Sequence, residues 1–192
     1  MRKELYKAIC DKLGGLYRLA DGSVCGIEKG GEVPKGAERV IRHIDLWNRN
    51  VDFIEQEESW ARPAVFVEFC PIRWNALVNG MEYRAEPLVN LHVVTDWNGS
   101  ASADSDLQEE ALEVFDLPEL IHGALTCLKG EHYMMFDLVE SQTNHNHEDI
   151  VENIEVYQCV AQKRLKWPLC SNEKAFPADC LERFFNTLRR AF

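Results

Sequence analysis

The chain has 192 residues, 46% of them hydrophobic and 28% charged, the balance of one globular domain rather than a disordered or fibrous chain. Its net charge of −11 is unevenly spread: between Ala85 and Gln162 a single base, Lys129, faces sixteen acids, while the rest carries 20 bases and 16 acids. That pattern lacks the basic stripe of a phosphate-backbone binder and the basic patch of an anionic-membrane binder.

In chain order, Leu5, Ile9 and Leu13 recur at helical spacing and predict a short amphipathic helix over 3–13, with Gly14-Gly15 as its stop. Residues 14–38 hold seven of the eleven glycines and Pro34, which predicts loop with a short hairpin around Gly22 and Gly26. Val40, Ile41, Ile44 and Leu46 suggest a strand, followed by a polar and acidic excursion to residue 62. Pro63 to Phe69 is the clearest strand, β-branched and aromatic with proline at its first position. Asn79-Gly80 signals a tight turn, and 86–95 is a second strand, nearly continuous in apolar residues.

A polar loop over 98–106 leads to an acidic helical turn near 107–115. Asp116 then caps a better helix, with Pro118 in its first turn and Gly130 at its end. Strands at about 133–141 and 151–164 flank the loop Thr143 to Asp149. In the last strand, Ile154, Val156 and Val160 alternate with Glu155, Tyr157 and Cys159, which predicts one buried face. After Pro177 the positions Leu181, Phe184, Phe185, Leu188 and Phe192 predict a terminal helix. The expectation is one α+β domain over 1–192: an antiparallel sheet of about four strands, helices packed on one face, long loops or arms, and 163–192 as an extension.

Chemistry-bearing motifs are few. His145 and His147, two residues apart beside Glu148 and Asp149, have the donor types of a metal loop, but further ligands would have to converge from His92, His122 or His132. A polar turn between strands is the simpler reading. No GxSxG, phosphate-cradling glycine loop or GxGxxG occurs. The seven cysteines are odd in number, form no CxxC and mostly sit in apolar runs, as reduced cytosolic thiols do. A zinc site from Cys10, Cys25, Cys170 and Cys180 is the weaker alternative. The acids Glu109, Glu110, Glu113, Asp116 and Glu119 read as a solvated helix face. No catalytic residue, cofactor or metal is therefore expected. No run approaches the roughly 20 apolar residues of a membrane span, and the first residues lack a signal peptide's apolar core, so the expected compartment is a cytoplasm. Trp47, Trp60, Trp74 and Trp97 stand at or beyond strand ends. They suit either a protein interface or a satellite cluster beneath long loops.

Three segments together carry a resemblance. They are Arg42-His43-Ile44-Asp45-Leu46-Trp47-Asn48 with the later Arg62 to Phe69; Phe115-Asp116-Leu117-Pro118 opening a helix that runs to Leu128-Lys129-Gly130; and Glu140-Ser141 with Asn144 to Ile150, closed by the strand bearing Tyr157. The series resembles the tail terminator (tail-completion, neck) proteins of tailed phages and prophages, particularly Bacteroides-type members, over about residues 40–162. The resemblance implies a non-enzymatic α+β subunit that joins copies of itself in a ring, possibly of six, which caps the tail tube and meets tube or neck proteins. It implies no catalytic residues and places the assembled protein in the virion tail. A metal-dependent enzyme using His145 and His147, or a cytosolic ligand-binding domain, is the alternative.

Overall fold

The computed structural model describes residues 1–51, 60–77, 81–97, 101–144 and 149–164. The expected turn at Asn79-Gly80, the loop of His145 and His147, and the terminal helix after Pro177 lie outside them. The first helix, α1 (Arg2–Leu13), buries Leu5, Ile9 and Leu13 completely. Gly14 ends it where expected, in a right-handed conformation. The glycine pair serves close approach: a Cβ on Gly14 would meet the Cys10 carbonyl, and one on Gly15 would run into that of Ile27. A small sheet follows, with β1 (Leu16–Arg18) flanked by β2 (Val24–Gly26) and β3 (Glu38–Arg39). Gly22, at φ +83°, turns the β1–β2 hairpin.

The main sheet has seven strands among the described residues, not about four. They are β4 (His43–Leu46), β5 (Ala64–Phe69), β6 (Asn75–Ala76), β7 (Glu82–Ala85), β8 (Leu88–Asp96), β9 (Tyr133–Asn144) and β10 (Ile150–Arg164). The longest, β10, pairs antiparallel with β8 and then β7 along one flank, and with β9 along the other. On the far side, β8 pairs with β5, and β5 with β4. The β4–β5 pair is parallel, so the sheet is mixed rather than wholly antiparallel. A parallel pair needs a crossover, and residues 47–63 supply it.

Along β5 and β8 the strand period of two separates two apolar faces. Val65, Val67, Val89, Leu91 and Val93 pack with α1 and with α3 (Asp116–Leu125) in the main core. Ala64, Phe66 and Val94 point the other way, into a smaller cluster with Val51, Ile150, Trp47 and Trp60. Helices thus cover one face, and Trp47, Val51 and Trp60 line the other. In β10 the face expected to be buried is corrected. Tyr157 and Cys159 enter the main core, while on the opposite face Val156 is buried and Ile154 and Val160 are half-buried. The polar neighbours on the core side are tied down: Asn153 donates to the Val114 carbonyl, and Glu155 accepts from Ser141. Asp116 likewise does not cap α3. A five-residue helix, α2 (Gln108–Leu112), and a 3₁₀ turn, Glu113–Phe115, run directly into α3, so Asp116 is already inside it.

One polar contact fastens the N-terminal helix to the far part of the chain. Glu4 accepts from the backbone amides of Glu131 and His132, and its Oε2 lies 2.9 Å from His132 Nδ1. Gly130 is needed beside it, because a Cβ there would collide with both the Glu4 carboxylate and the Tyr133 ring. Partial burial raises the Glu4 carboxyl, but the His132 side chain and the two amides outweigh it and hold it below the ordinary value. A depressed carboxyl stabilises the fold above its unfolded value and stops doing so as pH falls through the folded one. Glu4→Gln should therefore cost about 1 kcal/mol at pH 7. Urea denaturation should show the gap from wild type closing below about pH 4.

Candidate functional site

The helix-free face of the main sheet carries the densest polar cluster among the described residues. Its members come from alternate positions of neighbouring strands: Glu68 on β5, Asn90 and His92 on β8, and Glu152 on β10. His92 and Glu152 are only 5% and 4% exposed. His92 Nδ1 lies 2.6 Å from Glu152 Oε1, and its Nε2 lies 3.3 Å from Glu68 Oε2. Asn90 donates to the same Glu68 oxygen at 2.6 Å, and Asn144 donates to Glu152 Oε2 at 2.7 Å. Over the imidazole lies Trp47, its ring parallel within 2° and 3.7 Å away between centroids. Trp60 meets Phe66 edge-on at 5.0 Å beside it.

This arrangement says what the histidine is placed to do. Both ring nitrogens face carboxylates, and an indole covers the ring face. The cluster stitches β5, β8, β9 and β10 together across the sheet. Buried polar groups held this way favour one register over its neighbours. Nothing local in the sequence signalled it, since His92 and Glu152 are 60 positions apart.

Of the tryptophans singled out as interface candidates, Trp47 and Trp60 pack on their own sheet. Trp74 is half-buried near Met1 and Arg164, and Trp97 is 37% exposed. The histidines proposed to converge on the 145–147 loop are dispersed: His92 in the cluster, His132 on Glu4, and His122 on α3. Among the described residues no group of three or more His, Cys, Asp or Glu is arranged to hold a metal ion. Nor does any described helix have the length and apolarity to cross a membrane. Cys10, Cys25, Cys70, Cys127 and Cys159 are free, and burial pushes the Cys159 thiol up to about 11. The five acids from Glu109 to Glu119 lie exposed along α2, the 3₁₀ turn and the start of α3.

Two surface features remain. A groove of about 860 Å³ opens between α1, α3 and the β1–β2 hairpin, floored by Leu16, Val24, Leu120 and Leu128. The second is the outer edge of β9, which pairs with no strand among the described residues. Two β-bulges interrupt it, placing Met135 and Phe136 opposite Cys159, and inserting Val139 between the partners of Val156 and Tyr157. Met135 adopts φ 57°, a left-handed conformation that costs a side chain about 1–2 kcal/mol. Despite this cost, the bulges expose apolar residues: Met134 is 45% exposed, Met135 62% and Val139 52%. The sequence showed this strand but not its bulges, which depend on register against β10.

No family model matches the chain, and no curated protein matches it.

Removing the imidazole takes from Glu152 a partner that lies beneath the surface. His92→Ala should therefore destabilise the fold by about 3 kcal/mol, read from guanidinium unfolding. Trp47→Ala, which removes the cover and part of the cluster around Phe66, should likewise cost about 3 kcal/mol in the same assay.

Proposed function

We propose that the protein is a non-enzymatic structural subunit of a phage or prophage tail, of the tail terminator or completion kind, working by assembling with copies of itself into a ring on the tail tube. The observation that supports this best is the β9 edge. Exposed edges in monomeric proteins are commonly blunted with charge, proline or bulges. Here the bulges present two methionines and a valine to solvent. Apolar residues on a strained strand edge are the composition of a surface that another chain covers. The His92 cluster is consistent with the same reading, because its groups tie neighbouring strands of the sheet together.

Under this reading the protein forms a multimer in light scattering, alone or on added tail-tube protein. Met135→Asp with Val139→Asp should reduce the mass to that of smaller species while leaving the circular dichroism spectrum unchanged. A strict monomer that also ignores tube protein would overturn the proposal.

A ligand-binding domain is the second reading, and the groove between α1 and α3 is the observation in its favour. Ala124→Trp fills that groove. Assembly should survive the substitution if the ring reading is right, whereas a binding domain should lose its uptake of an apolar fluorescent probe.

A further inference from the structure

Resting on the ring reading, we infer that each copy seats the α2–α3 face of the next copy in the cleft at the C-terminal end of β10, a head-to-tail contact between unlike surfaces. From Gln108 to Leu125 the α2 helix, the 3₁₀ turn and α3 follow one another without a gap. Helical spacing then gathers Glu109, Leu112, Phe115, Asp116 and Glu119 on one exposed side. Leu112 is 39% exposed and Phe115 48%. The three acids around them hold no ion pair among the described residues.

The receiving cleft, of about 650 Å³, is lined by Met1 and Arg2 at the start of α1, by Ile72 and Trp74, and by Lys163 and Arg164. Arg164 is shared with Glu82 at 3.7 Å, whereas Arg2 and Lys163 hold no ion pair among the described residues. An apolar floor with free bases at its rim matches an apolar ridge with free acids beside it. The wall at His132 leads directly into β9, where Met134 and Met135 are exposed. A partner seated in the cleft therefore also reaches the apolar start of that strand.

β10 holds the two surfaces apart. Near its start Asn153 donates to the Val114 carbonyl, next to Phe115, while Lys163 and Arg164 stand at its end. Ten residues of strand, about 33 Å, lie between, so the contact joins one end of a subunit to the other end of the next. Such heterologous contacts generate rings. Charge selects the pairing: the α2–α3 face on itself brings acids onto acids, the cleft on itself brings bases onto bases, and the unlike pair opposes them. The larger α1–α3 groove gives an acidic face no such preference, because its rim sets Lys12, Lys29 and Lys129 against Asp11, Glu28 and Glu119.

The test is charge reversal on exposed positions of the full chain, read by light scattering across a dilution series, with circular dichroism as the check on folding. Glu109→Lys with Asp116→Lys should weaken association about tenfold or more, the scale of like charges brought together at an interface. Arg2→Glu with Lys163→Glu should do the same, and all four substitutions in one chain should restore it. Leu112→Ser with Phe115→Ser removes the apolar centre without adding charge and should also break the multimer. Lys12→Glu with Lys129→Glu, on the α1–α3 groove, should leave it intact. If that pair weakens association and the cleft pair does not, the acidic face docks in the groove and the contact named here is wrong. If the acid-side reversal alone tightens association, the face meets itself, which equally overturns a head-to-tail contact. If wild type assembles but none of these variants changes its mass, both surfaces are misassigned while the ring reading stands. A wild type that is monomeric with and without tube protein overturns both.

Discussion

A strand covered on both faces can carry polar side chains only where each has a partner within reach, and β10 lives under that constraint. It brings Glu152, Asn153 and Glu155 into the interior and must settle all three. Glu152 turns to His92 and Asn144 on the helix-free side, while Asn153 and Glu155 turn to Val114 and Ser141 on the helical side. Each tie fixes the register of β10 against a different element. A slip of one residue would exchange the faces and leave every one of them unpaired. The neighbouring strands, the position of α3 and the indole lid of Trp47 all follow from that register.

Much of this was legible in the sequence, and the gaps have physical causes. The helix over 3–13 and the strands near 63–69, 86–95, 133–141 and 151–164 announced themselves, because burial against one core leaves a periodic trace. The buried face of β10 was misread because both faces are covered. Apolar and polar residues then alternate without saying which side faces the helices. The short strands β3, β6 and β7 left no trace, since two to four residues are too few to show a period. The parallel pairing of β4 and β5 depends on the path of the crossover, which composition does not encode. His92 illustrates the limit most clearly: a lone histidine in an apolar run acquires its role only when the fold brings in Glu152 and Glu68.

The uneven charge gains a location. The acidic stretch from 85 to 162 contributes β8, β9, most of β10 and the α2–α3 segment, while the residues before β5, on α1, the small sheet and β4, carry as many bases as acids. Net charge by itself speaks only to partners such as nucleic acid or membrane. Placed on the fold, it separates an acidic main sheet and α2–α3 segment from an N-terminal third that is balanced in charge.

The tie between Glu4 and His132 spans 128 positions of chain. During synthesis α1 emerges well before the groups that receive its carboxylate, which follow 128 residues later. At roughly 5–20 residues per second that interval is on the order of ten seconds. Until it ends, Leu5, Ile9 and Leu13 lack part of the surface that buries them. An element made early is thus secured late, leaving the apolar face of α1 in need of shelter at the ribosome.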